Sequence, residues 1–265
     1  MEELLKLMEE YESSYEEDVY LKLLDKVKSM EDLIFVRSKN TRLYYLEDYL
    51  GRTCTKMFVA KEDFDQYQKN LDHANVKVLG MGTKTDNRSF LAGDIRRCGI
   101  GLLELVVKDQ TVIIKVDEIF DAVPQAKLDN SELLVVACSF IEKARSNKAT
   151  NQDEAAFLKK FATAQFLVPV KGKKEESTED GKAQFEIPIF TNKDGKKAQF
   201  VFSDIYEFAA FNQKQEFTSL TVSYHDLQSL SKGVDSLIFN PVSLNMMVNE
   251  QVFNRVEKII RFDQK

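Results

Sequence analysis

Phe185–Asn192 reads FEIPIFTN, and it is the stretch around which the fold can be predicted. Its apolar residues Phe185, Ile187 and Ile189 alternate with other side chains, and a period of two is typical of a strand with one face on a core. Pro188 has no backbone N–H to donate to a neighbouring strand. The stretch therefore predicts an edge strand, or a strand next to a bulge.

A second stretch, Gly233–Pro241, reads GVDSLIFNP and complements the first. Its run Leu237–Phe239 is continuously apolar, as expected for a strand that is covered on both faces. Asn240 and Pro241 are residues that end strands. Together the two stretches predict a sheet, and neither contains a nucleophile, an acid/base pair or a cluster of metal ligands.

Both stretches have weak counterparts earlier in the chain. Lys56–Lys61 (KMFVAK) resembles Pro188–Lys193 (PIFTNK), and Gly99–Leu105 (GIGLLEL) resembles Gly233–Phe239 (GVDSLIF). The two offsets are nearly equal although the segments lie far apart, which is the signature of an internal repeat. We therefore predict an internal duplication, with a first unit at residues 1–126 and a second at 127–265.

The order of predicted elements is similar in both halves and indicates an α+β fold. Each unit begins with two helices, continues with a mixed sheet that includes a crossover helix, and closes with a hairpin and a helix. A strand, helix and strand over residues 53–79 predict a parallel, right-handed crossover. Ala198–Phe202 is predicted as an extra strand that the first half lacks.

Composition and charge narrow the classes of partner. The 265 residues are 43% hydrophobic and 30% charged, and the net charge is −6, which is ordinary for a globular protein. The first 18 residues are strongly acidic, and such a surface repels phosphate backbones and anionic lipid. We therefore expect no nucleic acid and no membrane partner. The acidic Glu9–Asp18 segment could bind a cation or a basic partner, but a solvated helix face is the preferred interpretation, because carboxylates on a helix mostly point away from one another.

Cysteine usage and the N-terminus predict the compartment. Cys54, Cys98 and Cys138 are odd in number, far apart and without CxxC spacing, so we expect neither a disulfide framework nor a metal site. The N-terminus is charged where a signal peptide is apolar, and the apolar runs are far too short for a membrane span. These features predict a cytoplasmic protein without a cofactor.

One basic segment is a candidate ligand site. Gly80–Lys84 (GMGTK) resembles a shortened phosphate loop and leads toward Arg88, Arg96 and Arg97. Its spacing fits neither a nucleotide-binding loop nor a dinucleotide fingerprint, and a loop insertion relative to the second half is the simpler interpretation. An anion or ligand site at Lys84, Arg88, Arg96 and Arg97 remains an alternative.

Catalytic groups are scarce. Cys98 follows Arg96 and Arg97, a setting that can lower the pKa of a thiol and make it reactive. The two histidines, His73 and His225, each adjoin an aspartate, but no nucleophile accompanies them. We therefore predict that the protein is not an enzyme.

Three motifs resemble a known family. FLVPV at 166–170, the strand end IPIFT at 187–191 and Asn240-Pro241, followed by a closing helix, are similar to the SseB (enhanced serine sensitivity) protein N-terminal domain family over residues 166–256. The resemblance implies a cytosolic bacterial protein with an α+β fold and no established reaction. The first half lacks these prolines and the Asn-Pro pair, and looks like a diverged copy.

These observations lead to two principal hypotheses about function. The first is a non-catalytic protein-interaction or regulatory module, because a repeated fold occurs without a catalytic constellation. The alternative is a small-anion sensor or an enzyme, with its site near Gly80–Arg97 or between the two units. Self-association through an edge strand, such as one carrying Pro169 or Pro188, is a third possibility that edge prolines oppose.

Overall fold

The structure is a computed structural model that describes residues 1–83, 88–120, 128–172 and 185–263, without the side chains of 88–90 and 262–263. The chain divides into two compact units, Met1–Pro124 and Gln125–Lys265. Each contains helices and mixed sheet, which confirms the α+β class. No helix in the described ranges is long and apolar enough to cross a membrane.

The first unit begins with two helices that pack against each other. Its helices are α1 (Glu2–Ser14), α2 (Glu17–Lys28), α3 (Lys61–His73), α4 (Arg88–Arg97) and α5 (Val116–Ile119). Its strands are β1 (Ile34–Ser38), β2 (Glu47–Tyr49), β3 (Arg52–Phe58), β4 (Val78–Gly82), β5 (Leu102–Val107) and β6 (Gln110–Lys115). The sheet order is β4-β1-β3-β5-β6, with β2 paired to β3.

The second unit also begins with two helices. Its helices are α6 (Ser131–Arg145), α7 (Asn151–Thr163), α8 (Ile205–Phe211), α9 (Tyr224–Leu230) and α10 (Glu250–Asp263), with a short 3₁₀ turn at Ser231–Gly233. Its strands are β7 (Gln165–Gly172), β8 (Phe185–Glu186), β9 (Phe190–Thr191), β10 (Lys197–Val201), β11 (Thr218–Ser223), β12 (Ser236–Phe239) and β13 (Met246–Val248). They form two sheets, β11-β7-β8 and β13-β12-β10-β9, joined by an antiparallel bridge between Leu167 and Phe202.

Strand pairing follows the same order in both units. In the first, β1 is antiparallel to β4 and β3, β3 is parallel to β5, and β5 is antiparallel to β6. In the second, β7 is antiparallel to β11 and bridges to the end of β10, β10 is parallel to β12, and β12 is antiparallel to β13. The short strands β2 and β9 pair with β3 and β10, respectively.

This order corrects the correspondence between the two halves that the sequence predicts. The strand at 198–202 is not extra, because β10 holds the central position that β3 holds in the first unit. The similarity of KMFVAK to PIFTNK therefore pairs the wrong strands, since the latter segment includes β9. The predicted parallel crossover through α3 is confirmed, because β3 and β4 are both antiparallel to β1, which lies between them. The hydrogen-bonded parallel neighbour of β3 is β5.

Two prolines lie where the second unit's sheet divides. Leu167 exchanges backbone hydrogen bonds with Phe202, and Lys171 pairs with Glu186. Alternate residues of a strand turn their backbone groups to the same neighbour, so Pro169 faces the interval between these two pairings and has no N–H to donate. Pro188 lies between β8 and β9 in a segment without strand pairing. The predicted single edge strand is thus two short edge strands.

Equivalent aromatic trios form part of each core. Phe58 contacts Phe64 and Tyr67 of α3, with ring centroids 5.8 and 5.2 Å apart. Phe202 contacts Phe208 and Phe211 of α8 at 5.4 and 5.1 Å. In both units the crossover helix therefore packs on the end of its central strand through rings that are three residues apart on the helix, the spacing of one helix face.

A carboxylate at the third position of each crossover helix binds the turn after the parallel strand. Asp63 accepts the Lys108 backbone N–H at 2.8 Å. Glu207 accepts the N–H groups of Val242 and Ser243 at 2.9 and 2.8 Å, and the Ser243 hydroxyl at 2.8 Å. Lys108 and Asn240, the first residue after each parallel strand, both have positive φ, 55° and 49°.

Candidate functional site

The glycine-rich segment that resembles a shortened phosphate loop forms part of strand β4 where it is described. Gly80 and Gly82 belong to β4, and a Cβ atom at Gly80 would come within 2.9 Å of Ile34 and Phe64 side-chain atoms. Thr83 exchanges hydrogen bonds with the backbone on either side of Asp32: its hydroxyl accepts from the Leu33 N–H and donates to the Glu31 carbonyl, both at 2.9 Å. Close packing therefore explains the glycine at position 80 without a phosphate.

Arg96 and Arg97, two of the predicted basic residues, do not bind a common partner in the described structure. Lys84 and the side chain of Arg88 lie outside the described residues. Arg96 donates to the exposed carboxylate of Asp117 at 2.5 Å. Arg97 is buried and donates to Asp94, one turn earlier on the same helix, at 3.2 Å. The two described arginines thus point to different carboxylates.

Asp94 is the centre of a buried polar cluster that the sequence did not predict. It pairs with Arg97 and also with Arg37 of β1. The Arg37 guanidinium lies over the Tyr44 ring, 5.5 Å from its centroid. The backbones of Arg37 and Tyr44 also form an isolated antiparallel β-bridge. Two guanidinium groups therefore surround one carboxylate among the described residues of this cluster.

Two hydrogen-bond donors of this cluster have no partner in the described structure. They are the Nε–H of Arg37 and the hydroxyl of Tyr44, both buried. Burial raises the pKa of Tyr44 well above its usual value, the Asp94 charge raises it further, and the Arg37 charge opposes the shift. The Tyr44 hydroxyl therefore remains a neutral donor at physiological pH.

The cysteines are buried and unbridged. Cys98 is fully buried in the turn after α4, a position that gives its thiol no access to a reagent in solution, so its reactivity remains an untested prediction that burial disfavours. Burial also raises the pKa of Cys54 to about 11, with the charges of Glu47 and Glu104 adding to the effect. His73 and His225 are exposed, at the end of α3 and the start of α9.

A second charged cluster lies on the face of the first sheet that α3 covers. The Lys56 ammonium is 2.5 Å from a Glu104 oxygen and 3.3 Å from a Glu47 oxygen. The Tyr67 hydroxyl donates to Glu47 at 2.8 Å. The pKa of Tyr67 is raised by burial and then by the Glu47 charge. The sequence did contain a signal, since Glu104 interrupts the apolar strand LLELVV.

The same cluster brings together potential metal ligands. Ligand atoms of Glu47, Cys54 and Glu104 lie within 4.8 Å of one another. A divalent cation would need both carboxylates and the thiolate, yet Lys56 already bonds to both carboxylates and the pKa of the Cys54 thiol is raised. The Lys56 ammonium serves as the counter-ion, so we assign no metal to this cluster.

The second unit exposes apolar side chains where its sheet divides. Phe185 and Ile189, on either side of Pro188, are 54% and 49% exposed. Phe190 turns inward and stacks on Phe200, with centroids 4.0 Å apart. Among the described residues, β8 pairs with β7 alone and β9 with β10 alone, so apolar side chains and open strand edges occur together.

Asn240, a residue of the family-like motif, has a structural role. Its side chain accepts the Ser203 N–H and donates to the Ser203 hydroxyl, both at 2.8 Å. Ser203 in turn donates to Asp204, whose other oxygen caps α8 through the N–H groups of Tyr206 and Glu207. The Asn-Pro motif thus fixes the turn after β12 to the start of the crossover helix.

A comparison with known protein families finds a match that lies within the second unit. Residues 140–250 match the SseB protein N-terminal domain family, which confirms the resemblance predicted from the motifs. The match includes no residue of the first unit, and the diverged copy there stays a prediction. No curated protein sequence matches the chain significantly.

Two solved structures show weak similarity to the chain. Tic22 from Plasmodium falciparum is 11% identical over 92% of this chain and 99% of its own, with a TM-score of 0.22. Anabaena Tic22 (protein transport) is 7% identical over 90% of this chain and 96% of its own, with a TM-score of 0.21. TM-scores of this size support no inference about fold or function.

Proposed function

With an SseB N-terminal domain matched over residues 140–250, we propose that this chain is a non-catalytic protein-interaction or regulatory module of a bacterial cytoplasm, built from two related units. The two described charged clusters support a non-catalytic role, because Asp94 is neutralised by arginines and Lys56 by glutamates. The motif residues support it as well, since Asn240, Pro169 and Pro188 shape the fold.

The exposed pair Phe185 and Ile189 is the observation that carries this proposal. Large apolar side chains at the edge of a sheet cost free energy in water, and proteins usually protect such edges. Phe185 lies in β8, and Ile189 is the last residue of the segment Ile187–Ile189, which has no strand pairing among the described residues. The surface fits an extended apolar segment of another protein, which would cover Phe185 and Ile189 and pair with the open strands.

Site-specific photo-crosslinking tests this proposal. A photoreactive amino acid at position 185 or 189 of the full-length chain is expected to give one discrete heteromeric adduct in cells. Leu50, which is 86% exposed in the turn between β2 and β3 of the first unit, provides a matched control. The proposal fails if positions 185 and 189 give no adduct, give a homodimer, or give the same pattern as position 50.

We also propose that the two units arose by duplication. Their strands pair in the same order, their aromatic trios have similar spacing, and a carboxylate binds the same turn in each. An experimental structure in which β3–α3–β5 superimposes on β10–α8–β12 would support common origin. Different connection paths for the two parallel pairs would contradict it.

A further inference from the structure

We infer that a second copy of this chain pairs with strand β11 (Thr218–Ser223), which forms one edge of the sheet β11-β7-β8 in the second unit. The contact is a twofold, antiparallel strand pair centred on Leu220, and it joins the sheets of the two copies into one. It is separate from the protein-contact surface proposed at Phe185 and Ile189, because β7 lies between β11 and β8.

The first argument is the direction of the backbone groups in β11. Leu167 of β7 turns its N–H and C=O away from β11, to Phe202. Thr221 is directly opposite Leu167, so in an antiparallel ladder Thr221, and Ser219 two residues earlier, turn their own groups away from β7. No other described residue bonds to these four groups. The residues Thr218–Thr221 are all exposed, so a second strand can reach them.

The second argument is that side chains close the outward edge of β11 on both sides of this open stretch. On one side the Asn212 amide donates to the Phe217 C=O at 2.7 Å and accepts the Phe217 N–H at 3.1 Å. On the other side the Asp226 carboxylate accepts the Ser223 N–H at 2.8 Å, and the C=O of this N-cap residue accepts the first bond of helix α9. Phe217 and Ser223 each lie three residues from Leu220, so the open stretch is symmetric.

This symmetry fits a second copy of the same strand. With Leu220 opposite Leu220 of the second copy, Ser219 of each copy is opposite Thr221 of the other, and the two pairs exchange four backbone hydrogen bonds. The next pairs outward join Phe217 to Ser223, which are already capped, so the ladder ends on each side with both caps intact. A shift of the axis to Ser219 or Thr221 would break one of the caps.

The composition of β11 also favours pairing. Its sequence TSLTVS contains neither a charged residue nor a proline, the residue types with which proteins protect sheet edges. At the axis the opposed Cα atoms of a non-hydrogen-bonded pair are about 4.5 Å apart, so the two Leu220 side chains, each 40% exposed in the single chain, cover each other. Four hydrogen bonds and one apolar contact make a small interface, and we expect a dimer that dissociates on dilution.

Sedimentation of the full-length chain over a range of concentrations provides the first test. We expect a reversible monomer–dimer equilibrium. Thr221→Pro removes an N–H that faces the second copy and that no described residue uses, a position where an edge strand accepts proline. The symmetric contact then loses two hydrogen bonds, so the dimer should weaken about tenfold or more. A chain that stays monomeric throughout, or a dimer that this variant leaves unchanged, would overturn the proposal.

A pair of charge variants locates the axis. Leu220→Lys and Leu220→Glu each place like charges directly opposite each other and should each weaken the homodimer. An equimolar mixture should restore a dimer with one copy of each variant. Thr218→Lys and Thr218→Glu are the matched controls, because Thr218 is exposed on the same face of the same strand but two residues from the axis, so mixing them should restore nothing. An equal response at both positions would contradict the axis at Leu220.

Oxidative cross-linking provides a covalent measure. Leu220→Cys, in a chain whose three native cysteines are buried, should form a disulfide-linked dimer, because the Cα separation at the axis lies within the range of disulfide bonds. Thr218→Cys should remain monomeric under the same conditions. A photoreactive amino acid at position 220 should give a homodimeric adduct in cells, whereas a heteromeric adduct there would assign this edge to a different protein and refute the second copy.

Discussion

At equivalent positions of the sheet, the first unit has charged side chains and the second has aromatic and aliphatic ones. In the first, Glu47 is opposite Cys54 on the central strand, and Lys56 is opposite Glu104 on the parallel strand. In the second, Phe190 is opposite Ala198, and Phe200 is opposite Ile238. An ion cluster in one unit thus stands where an aromatic stack stands in the other.

This difference shows that the fold accepts either aromatic or charged side chains at these positions. Phe190 stacks on Phe200 at 4.0 Å, and Phe211 meets Phe200 edge-on at 5.3 Å. In the first unit Lys56 lies over the Tyr67 ring at 5.8 Å while binding both glutamates. The space below the crossover helix can be filled by either set, but a charged set stabilises the fold only if every member has its partner.

The strongest test of equivalence compares Phe58→Ala with Phe202→Ala. Both rings are almost fully buried and both contact two rings of their crossover helix, so each variant should lose about 3–5 kcal/mol of unfolding free energy in its own unit. Hydrogen exchange of peptides from β3 and β10 would measure the losses separately. A large loss at one position and a small loss at the other would break the comparison.

Removal of the cation in the first unit should have the next largest effect. Lys56→Met leaves two partly buried glutamates without a counter-ion and should cost about 2 kcal/mol, less than for a fully buried pair because all three groups keep some exposure. Urea unfolding of the variant and of wild type at pH 7 measures this loss.

A variant of the first unit that carries the corresponding residues of the second unit tests whether the two sites share one geometry. Glu47→Phe, Lys56→Phe and Glu104→Ile together should restore stability to within about 1 kcal/mol of wild type, because a packed apolar set can replace a complete ion cluster. If the triple variant is less stable than Lys56→Met alone, the two units do not share the geometry of this site.

Substitution of the two carboxylates that bind the turns should have unequal effects on stability. Glu207→Gln should cost about 2 kcal/mol, because the buried Glu207 accepts three charge-assisted hydrogen bonds. Asp63→Asn should cost below about 1 kcal/mol, since Asp63 accepts one described bond from the backbone N–H of Lys108 in an exposed setting. Chemical unfolding of both variants measures the contrast, and equal losses would contradict it.

Alkaline pH should slightly lower the unfolding free energy of the first unit, because Lys56 loses its proton. Burial alone would lower the pKa of Lys56, but its hydrogen bond to Glu104 and the charges of Glu47 and Glu104 outweigh burial and raise it. A raised folded-state pKa stabilises the fold fully below the unfolded value, near 10.4, and the contribution disappears as the pH rises through the folded value. Unfolding of wild type and the triple variant between pH 9 and 11.5 should show this loss in wild type alone.

Short motifs predicted the elements of the fold better than their pairing. Asn240 is correctly predicted as a strand end, and Pro188, predicted to lie in an edge strand or next to a bulge, lies between two short edge strands. Both residues act locally through backbone geometry. The assignment of KMFVAK failed because a similarity of a few residues cannot distinguish a central strand from a short edge strand. That distinction depends on ladder partners far away in sequence, as between Phe58 and Val106.

The candidate sites were harder to predict for the same reason. Arg97 and Cys98 are adjacent to Arg96, and the sequence suggested one exposed basic patch, but consecutive residues at the end of a helix point in different directions. The acceptor of Arg97 is on its own helix, whereas Arg37 and Tyr44 come from the start of the unit. A buried cluster assembled from distant segments has no local signature.

The parallel strand pair in each unit also determines when that unit can assemble on the ribosome. The helical pair α1–α2 and the β2–β3 hairpin join neighbouring segments and can form as they emerge. The edge of β3 that receives β5, however, stays open until α3, β4 and α4 have been synthesised, and β10 waits in the same way for β12. During synthesis each unit therefore passes through a stage with an uncovered central strand, when nascent chains are most vulnerable to wrong pairing.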